Sequence, residues 1–111
     1  MDKLENYRDI VEKIISEHAA IPYYYGDIER RTMFDRKNDS YLLYIVGWSD
    51  GRRYHGINIH VDIINEKFYI QHDGTEDGIA TELEQAGVPK SDIVLAFHAP
   101  ELRKHTEYAV V

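Results

Sequence analysis

Apolar residues recur along this chain with two different periods, and the change of period divides it. Leu4, Tyr7, Val11, Ile14 and His18 fall on one helical stripe, which Ile10 and Ile15 widen. Asp2 is placed to cap that helix, Glu5 answers it from three residues on, and Pro22 stops it. Two heptads are too few for a coiled coil, so the stripe is expected to pack on a sheet. The opposite side, Glu5, Asp9, Glu12 and Lys13, reads as an ordinary solvated face.

Beyond "YYYGD" the period drops to two. Strand-like runs cover residues 28–35, 40–48, 53–64 and 67–72, separated by the turn material "RKND", "SDG" and "NE". Asp50-Gly51 suits a type I′ hairpin turn, which needs positive φ at both positions. Strands joined this tightly run antiparallel, which makes the four runs a meander. A helix is expected over 76–86, closed by Gly87 with Pro89 behind it, and "DIVLAF" reads as a fifth, buried strand. Pro100 opens a short turn of helix, "PELRKH". With no repeat, linker or low-complexity stretch, residues 1–111 form a single domain. The expected fold is α+β, an antiparallel meander of four to five strands with two helices packed on one face.

Hairpin geometry then assigns faces. A two-residue loop at Asn65-Glu66 puts Asp62 opposite Tyr69, His60 opposite Gln71 and Ile59 opposite His72. Ile57, Ile59, Val61 and Ile63 share the core face with Phe68 and Ile70, while Asn58, His60 and Asp62 lie on the other. If the Asp50-Gly51 turn sets the preceding register, Tyr41, Leu43 and Ile45 join His60, Asn58, Tyr69 and Gln71 on the non-core face. Apolar and aromatic residues mixed with hydrogen-bonding ones describe an interface, so Tyr41, Leu43, Ile45, His60 and Tyr69 are its candidate residues. The competing reading is that the C-terminal segment folds over this face. Each helix shields a strip only about 10 Å wide, and the two are needed on the core face. Self-association is therefore expected, as a homodimer formed through the open sheet face or an edge strand.

Two stretches carry candidate chemistry. In "IQHDGTEDGIATELEQAGVPKSDIVLAF", acid, imidazole and glycine precede a helix, the makings of either a phosphate site or a cap. Asp73 stands three residues before Glu76, the spacing of a capping box, and Thr75 offers a second cap. The first turn "TEDG" carries two carboxylates and no base, which would repel a phosphate. The segment reads as a cap. His60 and Asp62 form an H-x-D pair on one strand face, but zinc usually takes three or four ligands, and His55 and His72 have the opposite parity. A small metal-dependent hydrolase built on His60 and Asp62 is the alternative from another functional class. His98, ahead of "AP", reads as a turn histidine. No Ser or Thr sits in a nucleophile elbow, and no cofactor is implied.

Composition narrows the partners. The 111-residue chain has no cysteine, which excludes disulfides and thiolate metal sites. It shows no signal segment and no long apolar run, so a cytoplasmic location without membrane contact is expected. A formal net charge of −7 argues against direct nucleic-acid binding, and the one weak basic cluster, Arg30, Arg31, Arg36 and Lys37, reads as a solvated hairpin edge. Acidity suits a protein partner at least as well.

The stretches "YGDIE", "YLLYIVGW", "RRYHGINIHVDI" and "IQHDGTEDGIATELEQAGVPKSDIVLAFHAPELRKHTEYAVV" resemble the XisI family, the fdxN-element excision controlling factors of cyanobacteria. The resemblance runs almost the full length, without departure in these stretches. It implies an accessory regulatory role in excising a DNA element during heterocyst differentiation, in protein–protein interaction with an XisH-like partner. The recombinase is a different protein. The family pattern brings no catalytic residues, so none are assigned here.

Overall fold

In the computed structural model the described residues are 2–22 and 26–111; Tyr25 of the "YGDIE" motif lies outside them. The chain forms α1 (Lys3–Ala19), β1 (Asp27–Asp35), β2 (Ser40–Ser49), β3 (Arg52–Ile64), β4 (Lys67–Asp73), α2 (Ile79–Gln85), β5 (Ile93–Leu95) and α3 (Pro100–Arg103). A turn of 3₁₀ helix, Lys90–Asp92, leads into β5. The strands lie side by side in sequence order as one sheet. β1 to β4 are antiparallel, as the short turns dictate. β5 runs parallel to β4, pairing Ile93 with Phe68 and Leu95 with Ile70. The expected antiparallel meander holds over β1 to β4, and β5 extends the sheet as a parallel strand. A helix intervenes between β4 and β5, and such a crossover returns the chain in the same direction.

The helices begin differently from one another. At α1, Asp2 Oδ1 accepts the Leu4 amide at 3.0 Å, the cap the sequence offers. Glu5 does not complete a capping box; its carboxylate accepts from Arg8 at 2.5 Å and Arg36 at 2.9 Å. α2 starts at Ile79 rather than 76, so the Asp73–Glu76 capping box does not form either. Asp73 instead spans the loop: Oδ2 accepts the Ile79 amide at 2.7 Å, and Oδ1 accepts the Thr75 amide at 2.9 Å and hydroxyl at 2.6 Å. Thr75 Oγ1 accepts from the Gly78 amide in turn. The acid-glycine stretch is a cap, made over six residues instead of three.

α1 and α2 cover one face of the sheet. The core there joins Tyr7, Val11, Ile14 and Ile15 of α1 and Ile79, Ala80 and Leu83 of α2 to Tyr41, Leu43, Ile59, Val61, Ile63, Phe68, Ile70 and Ile93 of the strands. Burying each large side chain stabilises the fold by roughly 1.5–3 kcal/mol. Polar groups in this layer are paired. The Tyr7 ring stacks on Phe68 with centroids 4.6 Å apart, and its hydroxyl donates to the buried Asp92 at 2.5 Å. Burial pushes the Asp92 pKa up, but the Tyr7 hydroxyl and the Lys3 ammonium, 3.0 Å away, outweigh it and hold the carboxyl below its ordinary range. Asp39 accepts from Arg8 at 2.8 Å and from the Tyr41 hydroxyl at 2.9 Å, fixing α1 over the β1–β2 turn.

Candidate functional site

The hairpin registers decide which side chains reach the uncovered face, and a β-bulge changes the expected answer. From the Asp50-Gly51 turn inward, β2 and β3 pair as the two-residue loop requires: Trp48 with Arg53, Val46 with His55, Tyr44 with Ile57. The next pair is Leu43 with Ile59, so Asn58 is an extra residue on β3. A one-residue shift exchanges the faces. Tyr41 and Leu43, expected on the open face, are fully buried in the core, and Ile45 packs against it. Ile57, expected in the core, is 49% exposed. A second bulge beside Val61 pairs His60 with His72 instead of Gln71, and Ile59 with Asp73 instead of His72. Of the five expected interface residues, His60 and Tyr69 keep their place and Tyr41, Leu43 and Ile45 lose theirs.

The open face is built from the other parity. Met33 of β1, Leu42, Tyr44, Val46 and Trp48 of β2 and Ile57 of β3 are cross-strand neighbours there. Met33 and Trp48 are 56% and 54% exposed, a large apolar area to leave in water. Met33, Leu42, Tyr44, His55, Gly56 and Ile57 line a shallow depression of about 320 Å³. Arg53 lies over the Trp48 ring, 5.3 Å from its centroid, a cation–π contact at the hairpin end. The C-terminal segment does not cross this face: Ala109 pairs with Val94, its amide donating to the Ile93 carbonyl at 2.9 Å, so the tail runs beside β5. The Tyr108 hydroxyl donates to Glu84 at 2.7 Å, which with burial pushes its pKa up to about 12.

At the far margin stand His60 and Asp62. His60 Nε2 lies 2.9 Å from Asp62 Oδ1, which also accepts the Ser40 hydroxyl at 2.6 Å, while Oδ2 accepts the Gln71 amide at 3.2 Å. The carboxylate is thus engaged by three side chains of its own sheet. Among the described residues no three His, Cys, Asp or Glu side chains gather as a metal cage. The His98 ring lies tilted against Phe97, centroids 4.6 Å apart, and its carbonyl accepts from Arg103 at 2.9 Å, as a turn histidine does. The three arginines of the basic cluster are tied down as well. Arg36 binds Glu5, Asp9 and Glu12 of α1 at 2.7–2.9 Å. Arg31 binds Glu29 at 2.5 Å, and Arg30 donates to the Ile21 carbonyl. A polar cleft of about 800 Å³ lies between the end of α1 and the start of α2, where His18 meets Glu82 at 2.6 Å.

Sequence reasoning missed Met33, Leu42, Tyr44, Trp48 and Ile57. In "YLLYIV" both parities are apolar, so alternation alone does not choose a face, and Gly56 hints at a bulge in β3 without fixing which residue is the extra one. The usable signal was Trp48, which shares its parity with Tyr44 and Leu42.

Comparison with known proteins agrees with this architecture. The XisI protein family model matches residues 1–110. A crystal structure of an XisI-like protein from Anabaena variabilis is 33% identical and superposes with a TM-score of 0.90, covering 97% of this chain and 99% of that one. The structure of fdxN element excision controlling factor XisI from the same organism is also 33% identical, with a TM-score of 0.83 over 99% of this chain and 100% of that one. No curated protein matches the chain.

Proposed function

Because the chain belongs to the XisI family, matched over residues 1–110, we propose that it is a non-catalytic accessory protein controlling excision of a DNA element. It acts by docking an XisH-like protein on the open sheet face. The observation that carries this reading is the exposed apolar surface around Met33, Trp48 and Ile57, which no helix covers among the described residues. A face with an apolar centre and charged margins at Glu29, Arg31 and Arg53 has the make-up of a protein contact. The solved relative named as an excision controlling factor shares this fold at 33% identity. Asp62, the acid a hydrolase would use, is held by Ser40, Gln71 and His60, an arrangement that fixes the strand face.

Co-expression with an XisH-like protein tests the docking surface. The wild type is expected to retain the partner through purification, and a Met33→Asp/Trp48→Asp variant to lose it by at least roughly tenfold, as removal of central apolar anchors does. Undiminished capture by that variant would move the contact elsewhere.

A further inference from the structure

The open face carries two guanidiniums, and they are held differently. Arg31 lies 2.5 Å from the Glu29 carboxylate. Arg53, opposite Trp48 in register, meets no carboxylate among the described residues; its guanidinium rests on the Trp48 ring alone. An arginine laid on an indole is fixed in place without being neutralised, and its N–H fork stays able to take a carboxylate in two parallel bonds. The acids of this face are otherwise engaged: Glu29 by Arg31, Asp35 by the Lys37 and Asn38 amides of its own turn, Asp62 by Ser40, His60 and Gln71. Asp27, at the outer end of β1, is the exception, exposed and without a partner among the described residues. Trp48 separates it from Arg53 in the sheet. His55 and Ile57 follow Arg53 on the same face of β3 and line the apolar depression.

We infer that the protein docked on this face brings a carboxylate to Arg53 and an apolar side chain to the depression, roughly 10 Å apart. This rests on the docking reading above and adds the chemistry of the partner, an acidic segment with an apolar anchor. Charge complementarity is its ground. A chain of net charge −7 repels such a segment over most of its surface, so the Trp48–Arg53 corner both attracts it and sets its orientation. Tryptophan and arginine are also the residue types on which interface energy concentrates. A nucleic-acid backbone suits the corner less well, because it calls for a row of cations, and Asp27 and Glu29 share the hollow that Arg53 and Arg31 line.

Affinity for the XisH-like protein, measured across a salt series, tests this with Arg53→Gln, Arg52→Gln and Asp27→Asn beside the wild type. Arg52 is the internal control: it is exposed, carries the same charge, and as the preceding strand residue points to the other face. Arg53→Gln is expected to weaken binding roughly tenfold at low salt and to flatten its decline as salt rises. Arg52→Gln stays within about twofold of wild type, and Asp27→Asn leaves binding unchanged or strengthens it. Unchanged circular dichroism and melting show that the variants fold. Undiminished binding by Arg53→Gln, an equal loss in Arg52→Gln, or an equal loss in Asp27→Asn would each overturn the proposal. Met33→Asp/Trp48→Asp separates the two readings. If that variant loses the partner while Arg53→Gln keeps it, the docking face stands and the carboxylate contact falls. If both keep it, or the wild type binds nothing, the docking face falls too.

Discussion

The two faces of β2 carry nearly the same side chains and have opposite fates. Tyr41 and Leu43 on one face are fully buried, whereas Leu42 and Tyr44, which alternate with them, remain partly exposed. Hydrophobicity does not separate the two sets; position relative to α1 and α2 does. On the helix side polar groups are tied across elements: Tyr7 of α1 donates to Asp92, and Asp39, which accepts the Tyr41 hydroxyl, also accepts from Arg8 of α1. On the open side the polar contacts stay within the sheet: Ser40, His60 and Gln71 on Asp62, Arg53 on Trp48. One face is organised to hold the fold together. The other is organised to keep its own shape while its apolar centre stays available.

The largest expected break in that contrast is at Leu43. Leu43→Ala opens a cavity in a closed core and should cost about 2–5 kcal/mol in urea unfolding, whereas Leu42→Ala next to it should cost less than about 1. Equal losses at both positions would mean that the two faces are equally buried.

Tyr7→Phe comes next. It leaves the buried Asp92 carboxylate without its hydroxyl donor, at about 1.5–3 kcal/mol. The pH dependence follows with its sign. Asp92 and Asp39 are both held below the ordinary carboxylate range, so their contribution is present above the unfolded pKa and is lost as pH falls through the depressed values. Wild-type stability should therefore decline from about pH 4 downward, and Tyr7→Phe should decline less steeply. A variant with the wild-type acid slope would remove Tyr7 as the cause. Asp73→Ala follows, with about 0.5–2 kcal/mol lost and early amide exchange confined to the loop and first turn of α2. Trp48→Ala is the smallest, within about 0.5 kcal/mol of wild type in stability although it reduces partner capture.

The contrast also explains what could be read from the sequence. α1, its cap and its stripe, and the bounds of β1 to β4 followed from period and turn chemistry, because each is set by neighbours in the chain. The faces of β2 and β3 did not. They depend on one unpaired residue, Asn58, and the contact that accompanies the bulge is non-local: the Gly74 amide donates to the Asn58 carbonyl at 2.8 Å, and a Cβ on Gly74 would fall 2.3 Å from Asn58 Oδ1. The face assignment thus held for His60 and Tyr69 and was one residue out of phase for Tyr41, Leu43 and Ile45. The parallel β5 was also hidden, since periodicity reports burial and not direction. The late start of α2 reflects Asp73 reaching to Ile79 across a glycine at φ 88, Gly78, a geometry no fixed spacing rule describes.

The most direct test is Ile57→Asp, because the β3 alternation alone puts Ile57 in the core and the bulge puts it in the open. Urea unfolding and capture of an XisH-like protein are read on the same purified variant. The expected result is stability within about 1 kcal/mol of wild type together with loss of the partner. A variant that fails to fold, or that folds and still holds the partner as well as wild type, would contradict it.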